Sequence, residues 1–313
     1  MAEEEEAWRV RQHSTSNPSE SEDDDDDDDI KPGCYVLDID NEAIKMRSIW
    51  IRAEYIRIYD FLVDYYNNKT RYNGRAPAAV ITGQPGIGKS VWIYYALCRC
   101  LTEKRPVVWR YRESHGDSHY MFVEEGVYDM GTQFLRDMYC ENVVWTLVDA
   151  DEYRDGVPPE LVTHGTPFFV IYTTSPVRER WKRLHKSVFD TVVVMNPWTR
   201  SEIHRVAPLH PASPNSEIID DIYDQFGPTP RLCLEMASDP DQLEAYKAGV
   251  RRALKLVTPQ YLLKMTHELE VMNMDEVSQK LCQIRRQHID VKSLACVVPI
   301  TDIMQSRLAI AMR

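Results

Sequence analysis

Eight residues, Gly83-Gln84-Pro85-Gly86-Ile87-Gly88-Lys89-Ser90, carry the most specific chemistry in this sequence. They fit G-x-x-x-x-G-K-[ST], the phosphate-binding loop, or P-loop. Its glycines let the backbone approach an anion without Cβ clashes. Consecutive backbone N–H groups then converge on that anion at a helix N-terminus. Lys89 is placed to reach the β- and γ-phosphates of a nucleotide, and Ser90 to offer a hydroxyl to Mg²⁺. The expected nucleotide contacts are Gly83, Gln84, Pro85, Gly86, Ile87, Gly88, Lys89, Ser90 and Val91.

Two further stretches complete this chemistry. Asn142 to Asp149 is an apolar run that ends in an acid, the Walker-B pattern. An acid at that strand end sits beside the phosphate loop and holds Mg²⁺. Asp149 is therefore the second metal ligand with Ser90, and Asp151 or Glu152 is the candidate general base for an attacking water. Pro167 to Ser175 is another apolar run ending in hydroxyls. Such a strand usually lies between the loop strand and the Walker-B strand, so Thr173, Thr174 and Ser175 are placed to sense the γ-phosphate. Thr174 is assigned to the nucleotide site. Arg178 and Arg180 follow on a basic stretch, and either could stabilise transition-state charge. Arg178 is assigned that role. His115 and His119 stand four apart, but Gly116 and Asp117 intervene in a turn and no third ligand is near, so a metal site is not expected there.

These residues need elements to hold them. Ala78 to Ile81 before the loop has the length of a buried parallel strand, and Val91 to Leu101 after it reads as a buried helix. Strands are also expected over 105–112, 142–149, 167–175 and 189–195, with a hairpin at Tyr120–Val123 and Gly126–Tyr128 joined through Glu124-Glu125. Thr199-Arg200-Ser201-Glu202 reads as a capping box that opens a helix. Asn41 to Asn68 reads as one long helix with a broad apolar face. Arg52 and Tyr55 in it are expected to pack in the core. Pro208 to Pro214 reads as a linker. Helices are expected beyond it at 217–226, 231–237, 242–256 and 260–269, then a strand within 293–300 and a closing helix to Arg313 capped by Thr301-Asp302. In Gly227-Pro228-Thr229-Pro230-Arg231 two prolines stiffen the turn and set Arg231 at a helix start, aimed back at the nucleotide. Pro230 is counted among the nucleotide contacts.

At 313 residues, with 43% hydrophobic residues, the chain can bury a substantial core. No window reaches 18 uncharged apolar residues, so no membrane span is expected. The N-terminus lacks the basic and apolar regions of an ordinary secretory signal. Seven scattered cysteines form no C-x-x-C pair, which fits a reducing, intracellular setting in cytoplasm or nucleus. Residues 1–31 hold thirteen acids and three bases, so they carry −10 of the net −12. Seven consecutive aspartates, Asp23 to Asp29, repel one another and bury nothing, so a disordered tail is expected over 1–40.

The stretches 83–90, 145–149, Thr173-Thr174-Ser175-Pro176, Met195-Asn196-Pro197-Trp198-Thr199 and 226–231 together resemble the P-loop NTPase module of fungal Crinkler-like proteins. Those in turn are similar to the retrotransposon hot spot proteins of trypanosomes. The resemblance covers about residues 45–240 and rests chiefly on the Asn-Pro-Trp and Gly-Pro-Thr-Pro-Arg stretches. It implies the ASCE division, which includes AAA+ proteins and the signal-transduction ATPases with numerous domains. In the latter a Gly-x-Pro turn of a helical domain contacts the nucleotide, and Gly227 to Pro230 is similar to it. In AAA+ relatives an arginine at a lid helix start senses the γ-phosphate, the position of Arg231. Many members have an acid directly after the Walker-B aspartate, where Ala150 stands.

The expected fold is therefore α/β: a P-loop NTPase domain over 41–207 with about five mostly parallel strands sandwiched by helices, and a small helical lid over 208–313. The expected function is ATP–Mg²⁺ binding, with hydrolysis driving a switch between domain and lid. The alternatives are a nucleotide-binding signalling module that scarcely hydrolyses, or a nucleic-acid-associated protein linked to mobile elements. A protein partner or a homo-oligomer is compatible with either, and nucleic acid has weak support from local basic runs alone.

Overall fold

The computed structural model describes residues 35–41, 46–68, 76–113, 116–130, 143–150, 156–163, 165–211, 213–261 and 273–311. Its framework is a seven-stranded sheet of order β6-β5-β4-β7-β8-β3-β9. Its strands are β3 (Pro77–Thr82), β4 (Val107–Glu113), β5 (Gly116–Val123), β6 (Gly126–Asp129), β7 (Val144–Asp149), β8 (Phe168–Thr174) and β9 (Phe189–Val194). β4, β7, β8, β3 and β9 run parallel. β8 lies between β7 and β3, as expected for the hydroxyl-ended strand. The expected hairpin is present as β5 and β6, and it extends the sheet antiparallel beyond β4. That raises the strand count from five to seven.

Both faces of the sheet are covered, so its central strands are apolar throughout rather than alternating. The residues of β3 are buried from Pro77 to Thr82, yet successive ones join different cores. Ala79 and Ile81 face the core shared with α1 (Ala53–Asn68) and α2 (Lys89–Thr102). Ala78 and Val80 face the core of Trp181 and Leu184 beside α3 (Lys182–Ser187). On α2, Trp92, Ala96 and Cys100 are buried at four-residue spacing, the stripe that a helix lays against a sheet. The helix stops where Lys104 turns to positive φ and Arg105 N–H returns to the Cys100 carbonyl at 2.8 Å. Trp145 and Phe169 meet edge-to-face at 5.2 Å under α1. Each such fully buried side chain contributes about 1.5–3 kcal/mol through apolar area removed from water.

The long helix expected from Asn41 to Asn68 is instead a strand followed by a helix. β1 (Tyr35–Asn41) pairs antiparallel with β2 (Met46–Ile51), and α1 begins only at Ala53. A dense apolar and β-branched run satisfies both periods, and the partner strand decides. Tyr35 to Asn41, of which all but Asn41 were assigned to the tail, supplies that partner. Residues 1–34, the bulk of the expected acidic tail, lie outside the described residues.

The C-terminal part contains α4 (Arg200–Val206), α5 (Ser216–Phe226), α6 (Pro240–Lys255), a short α7 (Ser278–Leu281) and α8 (Asp302–Ala311). α4 opens with the expected capping box: Glu202 N–H donates to Thr199 Oγ1 at 3.1 Å and Thr199 N–H to Glu202 Oε2 at 2.9 Å. Thr301 Oγ1 accepts from Met304 N–H at 3.0 Å and caps α8. The strand expected within 293–300 is present, and it has an unexpected partner. β10 (Cys282–Arg286) and β11 (Ala295–Pro299) form an antiparallel hairpin. Alternating Cys282, Ile284 and Arg286 bury one side of β10 against the main core. The helix expected over 260–269 lies almost wholly outside the described residues. No helix among those described is long and apolar enough to cross a membrane.

Candidate functional site

β3 delivers the glycine loop to the carboxyl edge of the sheet, and α2 begins at Lys89 immediately after it. Gly88 has φ +95° and Gly86 φ +81°. A Cβ on Gly88 would collide with the Tyr55 hydroxyl, and one on Gly86 would stand 3.0 Å from Arg231 Cβ. Both positions thus need glycine for conformation and for space. Lys89 Nζ folds back over the loop and donates to the carbonyls of Gly83 at 2.9 Å and Gln84 at 2.8 Å. Ile87 is buried, and its carbonyl accepts the Trp198 indole N–H at 2.8 Å. The Gly88 carbonyl accepts the Tyr55 hydroxyl at 3.0 Å.

The Walker-B position lies two strands away. Asp149 ends β7 opposite Thr173, whose hydroxyl donates to Asp149 Oδ1 at 3.1 Å. Thr174 ends β8 opposite Thr82 at the end of β3. The Thr82 and Thr174 hydroxyl oxygens are buried without a hydrogen-bond partner among the described residues. Buried hydroxyls are normally satisfied, and of the two only Thr174 lines the cavity, so it marks a place for an outside polar group. Ser175 accepts from Arg180 Nη1 at 2.8 Å. Arg180, rather than the assigned Arg178, lines the cavity described below, and Arg178 N–H instead meets Asn273 Oδ1 at 3.3 Å. Ala150 is buried. Asp151 and Glu152 lie outside the described residues.

These groups share one cavity of about 1120 Å³ between the carboxyl edge of the sheet and the turn after α5. Pro85, Gly86, Gly88, Lys89, Ser90, Val91, Asp149, Thr174, Pro230 and Arg231, all assigned from sequence, line it, whereas Gly83, Gln84 and Ile87, assigned with them, do not. Arg231 starts a π-helical turn over Arg231–Glu235 and lies 3.9 Å from Glu235 at its far end. The opposite wall is apolar, with Ile49, Trp50, Val206, Leu209, Pro211 and Leu234. Sequence reasoning missed that wall. Trp50 sits in the misread helix, and Leu209 and Pro211 in the stretch set aside as a linker.

The Asn-Pro-Trp stretch turns out to be a structural junction. Arg52, 3% exposed, donates to both oxygens of Glu202 at 2.9 Å and to the Asn196 and Pro197 carbonyls at 3.3 and 3.0 Å. Burial acts to lower the pKa of that guanidinium, but the Glu202 carboxylate outweighs it and the net shift is upward. Glu54 accepts from Asn196 N–H and from Arg286, each at 2.8 Å. Asn196 Oδ1 accepts the Arg286 N–H at 2.8 Å. Gln84 turns its amide away from the cavity and donates to the carbonyls of Gln279 at 2.9 Å and Cys282 at 2.6 Å. Burial pushes the Tyr55 phenol well above its ordinary pKa, so it stays a donor. The signal for this junction was Arg52 and Glu54 inside an otherwise apolar run, whereas Arg286 stands in the polar stretch Arg285-Arg286-Gln287-His288.

The arrangement can do three things. Its backbone amides and Lys89 can cradle an anion, Ser90 and Asp149 can hold a hard divalent cation through oxygen, and its apolar wall can take a flat ring. No group of three or more His, Cys, Asp or Glu side chains among the described residues could hold a metal by itself.

No protein-family model matches the chain. The chain is 28% identical to Crinkler effector protein 15 of Phytophthora infestans, over 54% of this chain and 27% of that protein. It is also 28% identical to Crinkler effector protein 16 of the same organism, over 54% of this chain and 26% of that protein. The chain thus spans about a quarter of the length of the curated relatives it matches. It is a distant relative of Crinkler effector proteins.

Proposed function

We propose that this chain binds ATP with Mg²⁺ at the glycine loop and hydrolyses it, so that the closure of the 227–235 turn over the site follows the nucleotide. The observation that carries the reading is the convergence of Lys89, Ser90, Asp149, Thr174 and Arg231 on one cavity from four separate segments. The chemical fit is good. A Cβ at Gly88 would collide with the Tyr55 hydroxyl and one at Gly86 would crowd Arg231, and the buried Thr174 hydroxyl, which lines the cavity, has no hydrogen-bond partner among the described residues.

In this reading Lys89 leaves the Gly83 and Gln84 carbonyls for phosphate oxygens. Ser90 and Asp149 hold the cation, which supplies neutralisation of the phosphate charge. Thr173 keeps Asp149 oriented through its 3.1 Å bond. Arg180 and Arg231, which line the same cavity, would supply fixed positive charge to the phosphates, where it lowers the barrier as charge develops. The apolar wall excludes water from the base.

A second reading is binding without turnover. Ala150 carries it, because the residue after Asp149 offers no carboxylate to order a water. Titration calorimetry with ATP, in Mg²⁺ and in EDTA, tests the proposal together with Asp149→Asn. Wild-type binding should tighten in Mg²⁺, and the variant should lose most of that gain. Equal Mg²⁺ dependence in both would remove Asp149 from the site. A wild type that binds but releases no phosphate favours the second reading.

A further inference from the structure

We propose that Tyr55 and Trp198 are positioning residues for the phosphate cradle: from outside the loop they set the two peptide planes whose N–H groups face the phosphates. The inference rests on the nucleotide-binding reading above. The Tyr55 hydroxyl donates to the Gly88 carbonyl at 3.0 Å, and the Trp198 indole to the Ile87 carbonyl at 2.8 Å. A trans peptide is planar, with its C=O and N–H pointing in opposite directions. Holding the Ile87 carbonyl therefore aims the Gly88 N–H, and holding the Gly88 carbonyl aims the Lys89 N–H. Those two donors stand at the opening of α2, where an anion is best bound. With Lys89 on the Gly83 and Gln84 carbonyls, three side chains engage four loop carbonyls, and the Gly88 carbonyl also accepts the Trp92 N–H of α2 at 2.9 Å, so that Tyr55 adds a second hold on that plane while Trp198 holds the Ile87 plane.

Both anchors are themselves fixed. Tyr55 is 1% exposed, and its own carbonyl accepts the Trp92 indole at 3.1 Å, which locks it to α2. Trp198 is 6% exposed, lies 4.5 Å under the Arg52 guanidinium and accepts the Tyr223 hydroxyl on its carbonyl at 3.3 Å. An indole N–H can only donate, so its direction is set by the Ile87 carbonyl. Donors aimed before the ligand arrives need no reorganisation when it binds. The sequence places Tyr55 and Trp198 some 30 and 110 residues from the loop, which is why no motif joins them to it.

The test uses the full chain as wild type, Tyr55→Phe and Trp198→Phe, with folding checked by circular dichroism. Titration calorimetry measures two probes, ATP–Mg²⁺ and inorganic tripolyphosphate–Mg²⁺. Each variant should weaken both probes by the same factor, roughly three- to tenfold, the range of one lost hydrogen bond. Tripolyphosphate has no base, so an equal loss places the effect on the phosphate cradle. Wild-type affinity in both variants, or a loss confined to ATP, overturns the proposal. Should one variant fail to fold, the other decides. A wild type that binds neither probe, or a Lys89→Ala variant that binds both as tightly as wild type, brings down the nucleotide-binding reading and this inference with it.

Discussion

Two aspartates illustrate how environment sorts the acids of this chain. Asp149 ends the buried strand β7 and accepts the Thr173 hydroxyl on Oδ1 at 3.1 Å. Asp220 on α5 is half-exposed and faces His204 and Arg200 of α4, at 2.8 and 2.5 Å. Slight burial acts to raise the Asp220 pKa, but the hydrogen bonds from His204 and Arg200 outweigh it and hold it below the usual carboxylate value. A group whose folded pKa is depressed adds stability above its unfolded pKa and loses it as pH falls through the folded one. Asp224 also pairs with Arg200, and the neutral Tyr223 ring of α5 stacks 4.5 Å from the guanidinium. Because the clasp is exposed, it contributes only about 0.5 kcal/mol. Asp220→Asn should therefore flatten the loss of melting temperature below about pH 4 and leave stability near neutrality little changed. An unchanged acid limb in thermal scans would count against the clasp.

At the scale of elements, the strands around the site were legible because each is a short apolar run bounded by turn residues. β3, β7, β8 and β9 fall where such runs end in Gly, Asp, Thr or Asn. The capping box at Thr199 was legible for a local reason, since its partners are three residues apart. What was not legible depended on distant partners. β2 became a strand because Tyr35 to Asn41 pairs with it, and β10 because Ala295 to Pro299 does. The junction around Asn196 could be named by resemblance but not explained, since its charges come from Arg52, Glu54 and Arg286. Arg286 is the most informative of them. It donates to Glu54 at 2.8 Å and to the Val194 carbonyl at 3.0 Å, with 1% and 3% side-chain exposure for the ion pair. Arg286→Met leaves Glu54 buried without its cation, and breaking such a pair costs about 3–5 kcal/mol. Urea denaturation should show that loss, and Glu54→Gln combined with Arg286→Met should recover part of it. A change below about 1 kcal/mol for Arg286→Met would mean that water or other groups satisfy Glu54.

At the scale of the whole molecule, the sheet and the C-terminal elements share packing. One continuous core runs from Tyr55 and Trp92 through Met195 to Ile284, Ile300 and Met304. Gln84 ties the glycine loop to the β10 hairpin, and Trp198 joins the loop to the 227–231 turn through the Pro228 carbonyl at 3.4 Å. The cavity lies where α1, the sheet edge and the 206–235 region meet. The relationship to Crinkler effector proteins covers about half of this chain, and the account of its chemistry stands on the site. The central claim is that Lys89 grips nucleotide phosphate. Titration of ATP–Mg²⁺ into wild type and Lys89→Ala tests it most directly. The account predicts saturable wild-type binding and a loss of roughly a hundredfold in the variant, as expected when a charge-assisted contact of about 2–3 kcal/mol is removed. Equal affinity in the two proteins, or no binding by a folded wild type, would contradict it.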